Sequence, residues 1–378
     1  MNILIFTAIY PAPAEYGIPS DTKVVHYYAK QWREAGHSVR VVYLHLITVR
    51  KILSNLKKLG GFESDYCQDG IDVHLLEYQA IVPKINYLSA PQARDASRRI
   101  KKFLAKAPTP DRVFVHFPAS FRGVDLPSEL ECPSMAVLHN VDVSTLRKKP
   151  NTVKEICAYK YLGGRSRRIC EAARELVGRE AELVLSGIDG GLIAPASVIE
   201  QRAERGGEPL RIVFAGNLIK LKRVDTVIRA LAQVGFDFRF EIIGDGVEQG
   251  ALKALAGGDE RIRFLGRLSR EETVEKMREA DVFVMVSSPE TFGLVYIEAM
   301  AQGCITVGSK NEGIDGVIRD GENGFLVESG NVKALTECFE MINKMTAEQR
   351  KALVANAYRD ASNMTDRAMA DKYFEMCR

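Results

Sequence analysis

Ala280-Asp281-Val282-Phe283-Val284-Met285-Val286 is followed, after two serines, by Pro289-Glu290-Thr291-Phe292-Gly293-Leu294-Val295-Tyr296-Ile297-Glu298-Ala299-Met300-Ala301-Gln302-Gly303. The first segment is a short apolar, β-branched run, the pattern of a parallel strand buried on both faces. The second opens on a polar loop carrying Glu290 and turns into a helix near Phe292-Gly293. Every side chain of that helix from Leu294 to Ala301 is apolar or aromatic except Glu298. A carboxylate in such company is costly to bury unless it is hydrogen-bonded or paired. Glu298 stands about 7–8 Å along the axis from the helix start, at 1.5 Å per residue. Between it and Glu290 lies a helix N-terminus, whose free amides and positive dipole end suit a phosphate. An acceptor on each side of an anion site fits a nucleotide sugar, with sugar hydroxyls, diphosphate and ribose hydroxyls in order. The same pair also fits a plain structural arrangement, Glu290 capping the helix and Glu298 bound to a core arginine.

Working outward, the 378 residues suit two domains of roughly 150–200 residues each. No apolar run reaches the roughly 18–20 residues of a membrane span. Met1-Asn2-Ile3-Leu4-Ile5-Phe6 reads as a first strand rather than a signal peptide. The seven cysteines are scattered, odd in number and lack any C-x-x-C pair, which predicts reduced thiols in a cytoplasmic protein. Residues 1–190 hold 27 Lys/Arg against 20 Asp/Glu, a net +7, whereas residues 191–378 carry a net −4. The basic first half predicts contact with an anionic surface.

Taken in order, the chain shows the same unit twice. A strand over 1–9 breaks at Tyr10-Pro11-Ala12-Pro13, a loop runs on through Gly17, and a helix fits 22–35 before a strand over 39–44. This opening is doubly wound α/β. Ile47–Leu59 is amphipathic and basic, as is Arg98-Arg99-Ile100-Lys101-Lys102-Phe103-Leu104. Each fits a helix on an anionic membrane surface or a solvated face; no nucleic-acid motif accompanies the charge. Two strands end in His116 and His139, where open α/β sheets bind ligands. Gly187–Gly191 with Ala194-Pro195 reads as a linker. A second Rossmann-like set begins at Leu210–Gly216, with helices expected over 224–234 and 271–280, and a polar break over 360–363 precedes the last helix. Gly244-Asp245-Gly246 is a weak dinucleotide fingerprint, because no acidic residue ends the next strand. The predicted domains are 1–190 and 200–360, with the helix 362–378 packing back on the first.

Three groups of residues together resemble the retaining, nucleotide-sugar-dependent glycosyltransferases of the GT-B fold, family 4. They are Gly216-Asn217-Leu218 with Lys222; Ile243-Gly244-Asp245-Gly246 with Phe264-Leu265-Gly266; and Glu290 and Glu298 in the family's E-x7-E spacing, followed by Gly303 and Asp320–Val327. The resemblance implies an α/β chain of two Rossmann-like domains facing a central cleft, the first binding acceptor and the second binding donor. It implies that Glu298 accepts from ribose hydroxyls and Glu290 from a donor-sugar hydroxyl. Gly293 and Leu294 would offer amides, Lys222 would neutralise the diphosphate, and the main chain near Gly266-Arg267 would meet the base. His139 matches the family's histidine near the donor sugar, and Gly17 lies in the loop facing the diphosphate.

The chain departs from the pattern at Asn217, where the family usually has an arginine; Lys220 in the same loop is the candidate substitute, without arginine's bidentate fork. No D-x-D occurs, so no carboxylate-held metal and no other cofactor is expected. The expectation is a metal-independent hexosyl transfer from a UDP-sugar, or a GDP-sugar, to a sugar or lipid-linked acceptor, at the inner membrane face. Two other readings are a UDP-N-acetylhexosamine epimerase of the same fold and a non-catalytic nucleotide-sugar binding module.

Overall fold

The computed structural model describes residues 1–18, 23–47, 62–79, 88–126, 131–203 and 209–378. The basic segment expected over 47–59 lies outside the described residues from position 48 onward. The chain divides into two units, Met1–Leu185 with Asp366–Arg378, and Ser186–Thr365.

The first unit holds strands β1 (Asn2–Thr7), β2 (Ser38–Ile47), β3 (Phe62–Gln68), β4 (Ile71–Gln79), β5 (Arg112–His116), β6 (Ser134–Leu138), β7 (Tyr161–Gly164) and β8 (Glu182–Leu183). Their order is β3-β4-β2-β1-β5-β6-β7-β8, parallel throughout except for the β3–β4 hairpin. Helices α1 (Val24–Glu34), α2 (Ala90–Leu104), α3 (Asn140–Lys148), α4 (Val153–Cys157) and α5 (Arg167–Val177) connect them. Two apolar clusters fill the unit: Leu4, Phe6, Val113 and Val115 belong to one, Ile3, Ile5, Trp32 and Phe114 to the other. That alternation along β1 and β5 is what a strand buried on both faces requires. On α2, Ile100 is buried and Phe103 stacks on His74, with ring centroids 4.4 Å apart. Arg98 pairs with Asp95, and Arg99 with Asp95 and Glu63. The apolar stripe of 98–104 is thus occupied by the core of its own unit.

The second unit contains α6 (Ala196–Ala203), β9 (Leu210–Ala215), α7 (Val224–Leu231), β10 (Phe238–Ile243), α8 (Gln249–Ala256), β11 (Ile262–Gly266), α9 (Arg270–Glu279), β12 (Val282–Val284) and α10 (Leu294–Ala301). After these come β13 (Ile305–Ser309), β14 (Phe325–Val327), α11 (Val332–Lys344) and α12 (Ala347–Ser362). All neighbours in the order β11-β10-β9-β12-β13-β14 are parallel. The order reverses between β9 and β12, and in such sheets ligands bind at the carboxyl ends beside that switch.

The expected linker, Gly187–Gly191 with Ala194-Pro195, follows directly on the division between the units at Leu185 and Ser186, and it is tied to the second unit: the Ala194 amide donates to Ala301 (3.2 Å), and the Tyr358 hydroxyl donates to the Ala194 carbonyl (2.8 Å). One expectation needs correcting: the chain does not break at Asp360, because α12 continues to Ser362. The Asp360 carboxylate there accepts from Arg319 and from Asn323, both at 2.8 Å, so its polarity serves a tertiary contact. The last helix, α13 (Asp366–Met376), packs on α1 within the first unit, and the Trp32 indole donates to its Ala370 carbonyl at 2.9 Å.

Candidate functional site

At the switch point two loops leave the sheet side by side, one after β9 and one after β12. The Ser288 amide donates to the Leu221 carbonyl at 2.9 Å, tying them together. A third loop, after β10, packs against the first so closely that only glycine fits. A Cβ on Gly244 would lie 2.0 Å from the Gly216 oxygen, and one on Gly246 would lie 2.3 Å from the Leu218 oxygen. Close packing of strand-end loops therefore accounts for the Gly244-Asp245-Gly246 pattern without a dinucleotide.

Glu290 is held from every side. Its carboxylate receives the Lys222 ammonium at 2.6 Å, the Ser287 hydroxyl and the Thr291 amide. Its own amide donates to Glu312 (2.8 Å), a buried carboxylate that also accepts from the Ser288 hydroxyl (2.7 Å). Its carbonyl accepts from the Gly313 amide at 3.1 Å. Charge-assisted bonds are the strong ones, and four of them, with one neutral backbone bond, fix one side chain and its backbone.

Gly293 then starts α10 in the left-handed region, φ 79°, where a Cβ would also lie 2.6 Å from the Tyr296 ring. The Tyr296 hydroxyl reaches back to the Met285 carbonyl, so the helix start is locked onto the end of the strand. The Tyr296 amide donates to the Gly293 carbonyl at 3.1 Å, whereas the amides that precede it have no helical carbonyl ahead of them and can meet an anion. One turn further, the Glu298 carboxylate accepts from the Arg270 guanidinium at 2.7 Å. Arg270 opens α9 and its side chain is 41% exposed, so Glu298 is paired, but not with a core arginine. Arg267 pairs with Asp245 at 2.6 Å after β11.

These elements surround a cleft of about 490 Å³ lined by Gly216, Asn217, Lys222, Arg267, Gly293 and Leu294, with Thr273 and Met285 among its other walls. Lys220 is exposed and is not among the lining residues, so Lys222 is the ammonium that borders the cleft; Glu290 and Glu298, held by Lys222 and Arg270, are not among the lining residues either. His139 and Gly17 belong to the first unit. Gly17 ends a one-turn helix, Ala14–Tyr16, at φ 61°, and a Cβ there would meet nothing within 4 Å. Its glycine thus suits the left-handed turn, with no protein atom crowding it. His139 is buried at the start of α3, its ring stacked on Phe117 with centroids 3.7 Å apart. Sequence reasoning missed Glu312, Arg270 and Ser287. Only the carboxyl-end position of Glu312, three residues past β13, gives a local signal.

Residues 197–360 match the family model described as glycosyl transferases group 1. The chain is 28% identical over 246 residues to an uncharacterized glycosyltransferase of Methanocaldococcus jannaschii, covering 64% of this chain and 66% of that protein. It is 27% identical over 216 residues to the N-acetyl-alpha-D-glucosaminyl L-malate synthase of Bacillus anthracis, covering 54% and 56%. It is 34% identical over 134 residues to the lipopolysaccharide core biosynthesis glycosyltransferase LpsE of Rhizobium meliloti, covering 35% and 38%. These matches thus span between 38% and 66% of the relatives' lengths. Among solved structures, HepE of Anabaena with UDP and glucose aligns at a TM-score of 0.65 and 19% identity, over 99% of this chain and 98% of that one. The apo lipopolysaccharide outer core galactosyltransferase WaaB aligns at 0.70 and 16% identity, over 100% and 99%. At these identities the likeness is one of fold, and the fold is GT-B.

Proposed function

For a chain whose residues 197–360 match the group 1 glycosyltransferase model, we propose a retaining hexosyltransferase that uses a nucleotide sugar, a UDP-sugar in preference to a GDP-sugar. The observation that carries this reading is the Lys222–Glu290 pair, 2.6 Å long, beside the free amides that start α10, with Glu298 one turn further along. A diphosphate in the cleft would take Lys222 and the amides of Gly293 and Leu294. Ribose hydroxyls would donate to Glu298, and a sugar hydroxyl would donate to Glu290. Asn217 would add a neutral donor where the family usually has an arginine, and the main chain at Arg267 would border the base. On the first unit, His139 would serve a sugar hydroxyl, and Gly17 sits in the opening loop.

Leaving-group departure would be stabilised by this fixed charge and these dipoles without a metal. The acceptor would attack on the face that the diphosphate leaves, which retains configuration. LpsE and WaaB act on lipopolysaccharide by their descriptions, and HepE is described with UDP and glucose. These support a UDP-sugar donor and a sugar or lipid-linked acceptor in surface glycan synthesis. Contact with an anionic membrane surface through 47–59 and 98–104 rests on the net +7 of residues 1–190. Among the described residues no helix is long and apolar enough to cross a membrane.

The test is product analysis of the purified chain with UDP- and GDP-hexoses, with and without sugar acceptors, in EDTA and in Mg²⁺. An α-linked product from an α-linked donor, formed equally in EDTA, is expected. Turnover of a UDP-N-acetylhexosamine without acceptor would instead establish an epimerase, and nucleotide binding without any turnover would establish a binding module. Flotation with anionic vesicles tests the membrane part, which absence of binding would remove.

A further inference from the structure

The net +7 of residues 1–190 is not spread evenly over them. Residues 147–179 hold ten Lys/Arg against three Asp/Glu, a net +7, and the other residues of that half hold 17 of each. Counting on through Glu180 and Glu182 still leaves +5. The cations of 47–59 and 98–104 are thus balanced by acids elsewhere in the half, and those of this span are not.

Folding gathers the span onto one side of the first unit. α3 and α4 both pack on α5. Arg147 in the last turn of α3 reaches Glu175 in the last turn of α5 at 4.0 Å. Arg179 donates to the carbonyls of Cys157 (3.3 Å), Tyr159 (2.7 Å) and Lys160 (2.7 Å), which draws the stretch after α4 against the end of α5. Lys148 and Lys149 end α3 exposed, as does Lys154 on α4, and Lys160 is exposed beside Arg179. Arg167 and Arg168 are exposed at the start of α5. Of the ten cations Arg165 is the one that is buried.

Helix stability explains only part of this pattern. Cations in the last turn of α3 complement the negative end of its dipole. Arg167 and Arg168 stand in the first turn of α5, where the dipole end is positive and a cation is unfavourable. The pairs Arg147–Glu175 (4.0 Å) and Arg174–Glu180 (3.3 Å) are exposed, and such pairs are worth little. Three acids cannot neutralise ten cations, and the excess repels itself unless an anionic partner meets it.

The kind of partner follows from the rest of the face. Its aromatic residues are Tyr159, which is buried, and Tyr161, whose half-buried ring lies 5.0 Å from the Lys160 ammonium. Neither offers the open ring on which the bases of single-stranded nucleic acid stack. Among these described residues no large apolar side chain is exposed, so nothing here would enter an acyl layer. A plane of phosphates can meet cations on three elements at once, and an anionic bilayer presents such a plane.

We propose that the face made by α3, α4 and α5 docks the chain on an anionic membrane through lipid phosphates, by charge and without insertion. This deepens the membrane part of the proposed function and rests on a lipid-linked acceptor only for its purpose. It differs from a contact through 98–104, where Arg98 and Arg99 are paired with Asp95 and Glu63 and Phe103 is stacked on His74.

Flotation of the full chain with phosphatidylcholine vesicles, with and without about 30% phosphatidylglycerol, tests it. Binding to the anionic vesicles alone is expected, and its loss in about 0.5 M NaCl. Each cation near such a surface is worth about fivefold in partitioning. Lys148→Glu, Lys149→Glu, Arg167→Glu and Arg168→Glu together should therefore lower it at least about a hundredfold. Lys101→Glu, Lys102→Glu and Lys106→Glu, on and just after α2, should lower it less than about fivefold, since charges beyond a Debye length are screened. Should the fourfold Glu variant fail to fold, the same four positions changed to Gln should still cost at least about tenfold. Equal losses in the two sets, binding unchanged in the first set, or native binding to neutral vesicles would overturn the proposal. Displacement from the vesicles by duplex DNA at equal phosphate concentration would also overturn it, with nucleic acid as the partner instead. No step needs donor or acceptor, so failure of docking leaves glycosyl transfer standing, and failure of transfer leaves docking standing.

Discussion

In the second unit the loops at the carboxyl ends of β9, β10, β11 and β12 carry charges that meet in pairs: Lys222 with Glu290 and Arg267 with Asp245. Arg270, at the start of α9, pairs with Glu298 in the same way. In the first unit the same ends of β5 and β6 carry neutral, buried rings, His116 and His139, joined to a phenol. Two sheets with the same reversal of strand order thus differ in chemistry. Paired charges suit a site that must accept a dianion, because each cation is already placed and each carboxylate can pass from cation to hydroxyl as the ligand enters. Neutral rings suit a site that must hold one hydrogen-bond direction without drawing charge. Under the proposed function, the contrast would put anion binding on the second unit.

Removing a cation should break the contrast most visibly. Lys222→Ala deletes the ammonium that borders the cleft and leaves Glu290 without its counter-ion. Charge-assisted bonds of roughly 1.5–3 kcal/mol translate into a fall in kcat/KM of about tenfold to a hundredfold, read by donor-dependent product formation. Gly313→Ala tests the clamp behind Glu290 instead of the charge. A Cβ there would lie 2.1 Å from the Thr291 oxygen. Overpacking against backbone costs roughly 1–3 kcal/mol, so a lower melting temperature and weaker donor binding are expected together.

Arg270→Gln should act more mildly. Its side chain is 41% exposed, and an exposed ion pair is worth at most about 1 kcal/mol, so donor KM should rise no more than about fivefold with kcat unchanged. A fall in kcat would mean that Arg270 touches the reacting groups.

A pH-dependent effect sharpens the first unit's half of the contrast. Burial lifts the Asp142 pKa to about 7, against about 3.9 for a free aspartate. Between those values the folded chain holds a proton that the unfolded chain has lost, so stability declines as pH rises from about 4 to about 7. The slope is at most about 1.4 kcal/mol per pH unit. Paired thermal melts of the native chain and Asp142→Asn at low and neutral pH should show the native chain losing this advantage while the variant does not.

Much of the second unit could be read before the fold was known. The run Val282–Val286 and the helix after Gly293 announce themselves by local pattern, and Glu290 and Glu298 by their isolation among apolar residues. Glu312 could not be read in this way, since one acid after a strand looks like any solvated loop residue. Only the parallel pairing of β12 with β13 brings it to the Glu290 amide. Arg270 stands in a helix start whose Ser269 and Glu272 form a capping box, so its local sequence speaks of the cap; its partner is 28 residues away. Tyr373 reads as a core aromatic on an amphipathic helix, and nothing nearby in sequence reveals what its hydroxyl meets. What escaped the sequence is long-range pairing of polar groups, which has no periodicity.

The central claim is that the paired charges of the second unit bind a nucleotide sugar. Thermal denaturation with a panel of UDP-, GDP- and ADP-sugars tests it most directly. A ligand at about a hundred times its Kd should stabilise the chain by about 2.7 kcal/mol. The account predicts a clear upward shift with a UDP-sugar, and its loss in Glu298→Ala. No shift with any nucleotide sugar, or an equal shift in the variant, would contradict it.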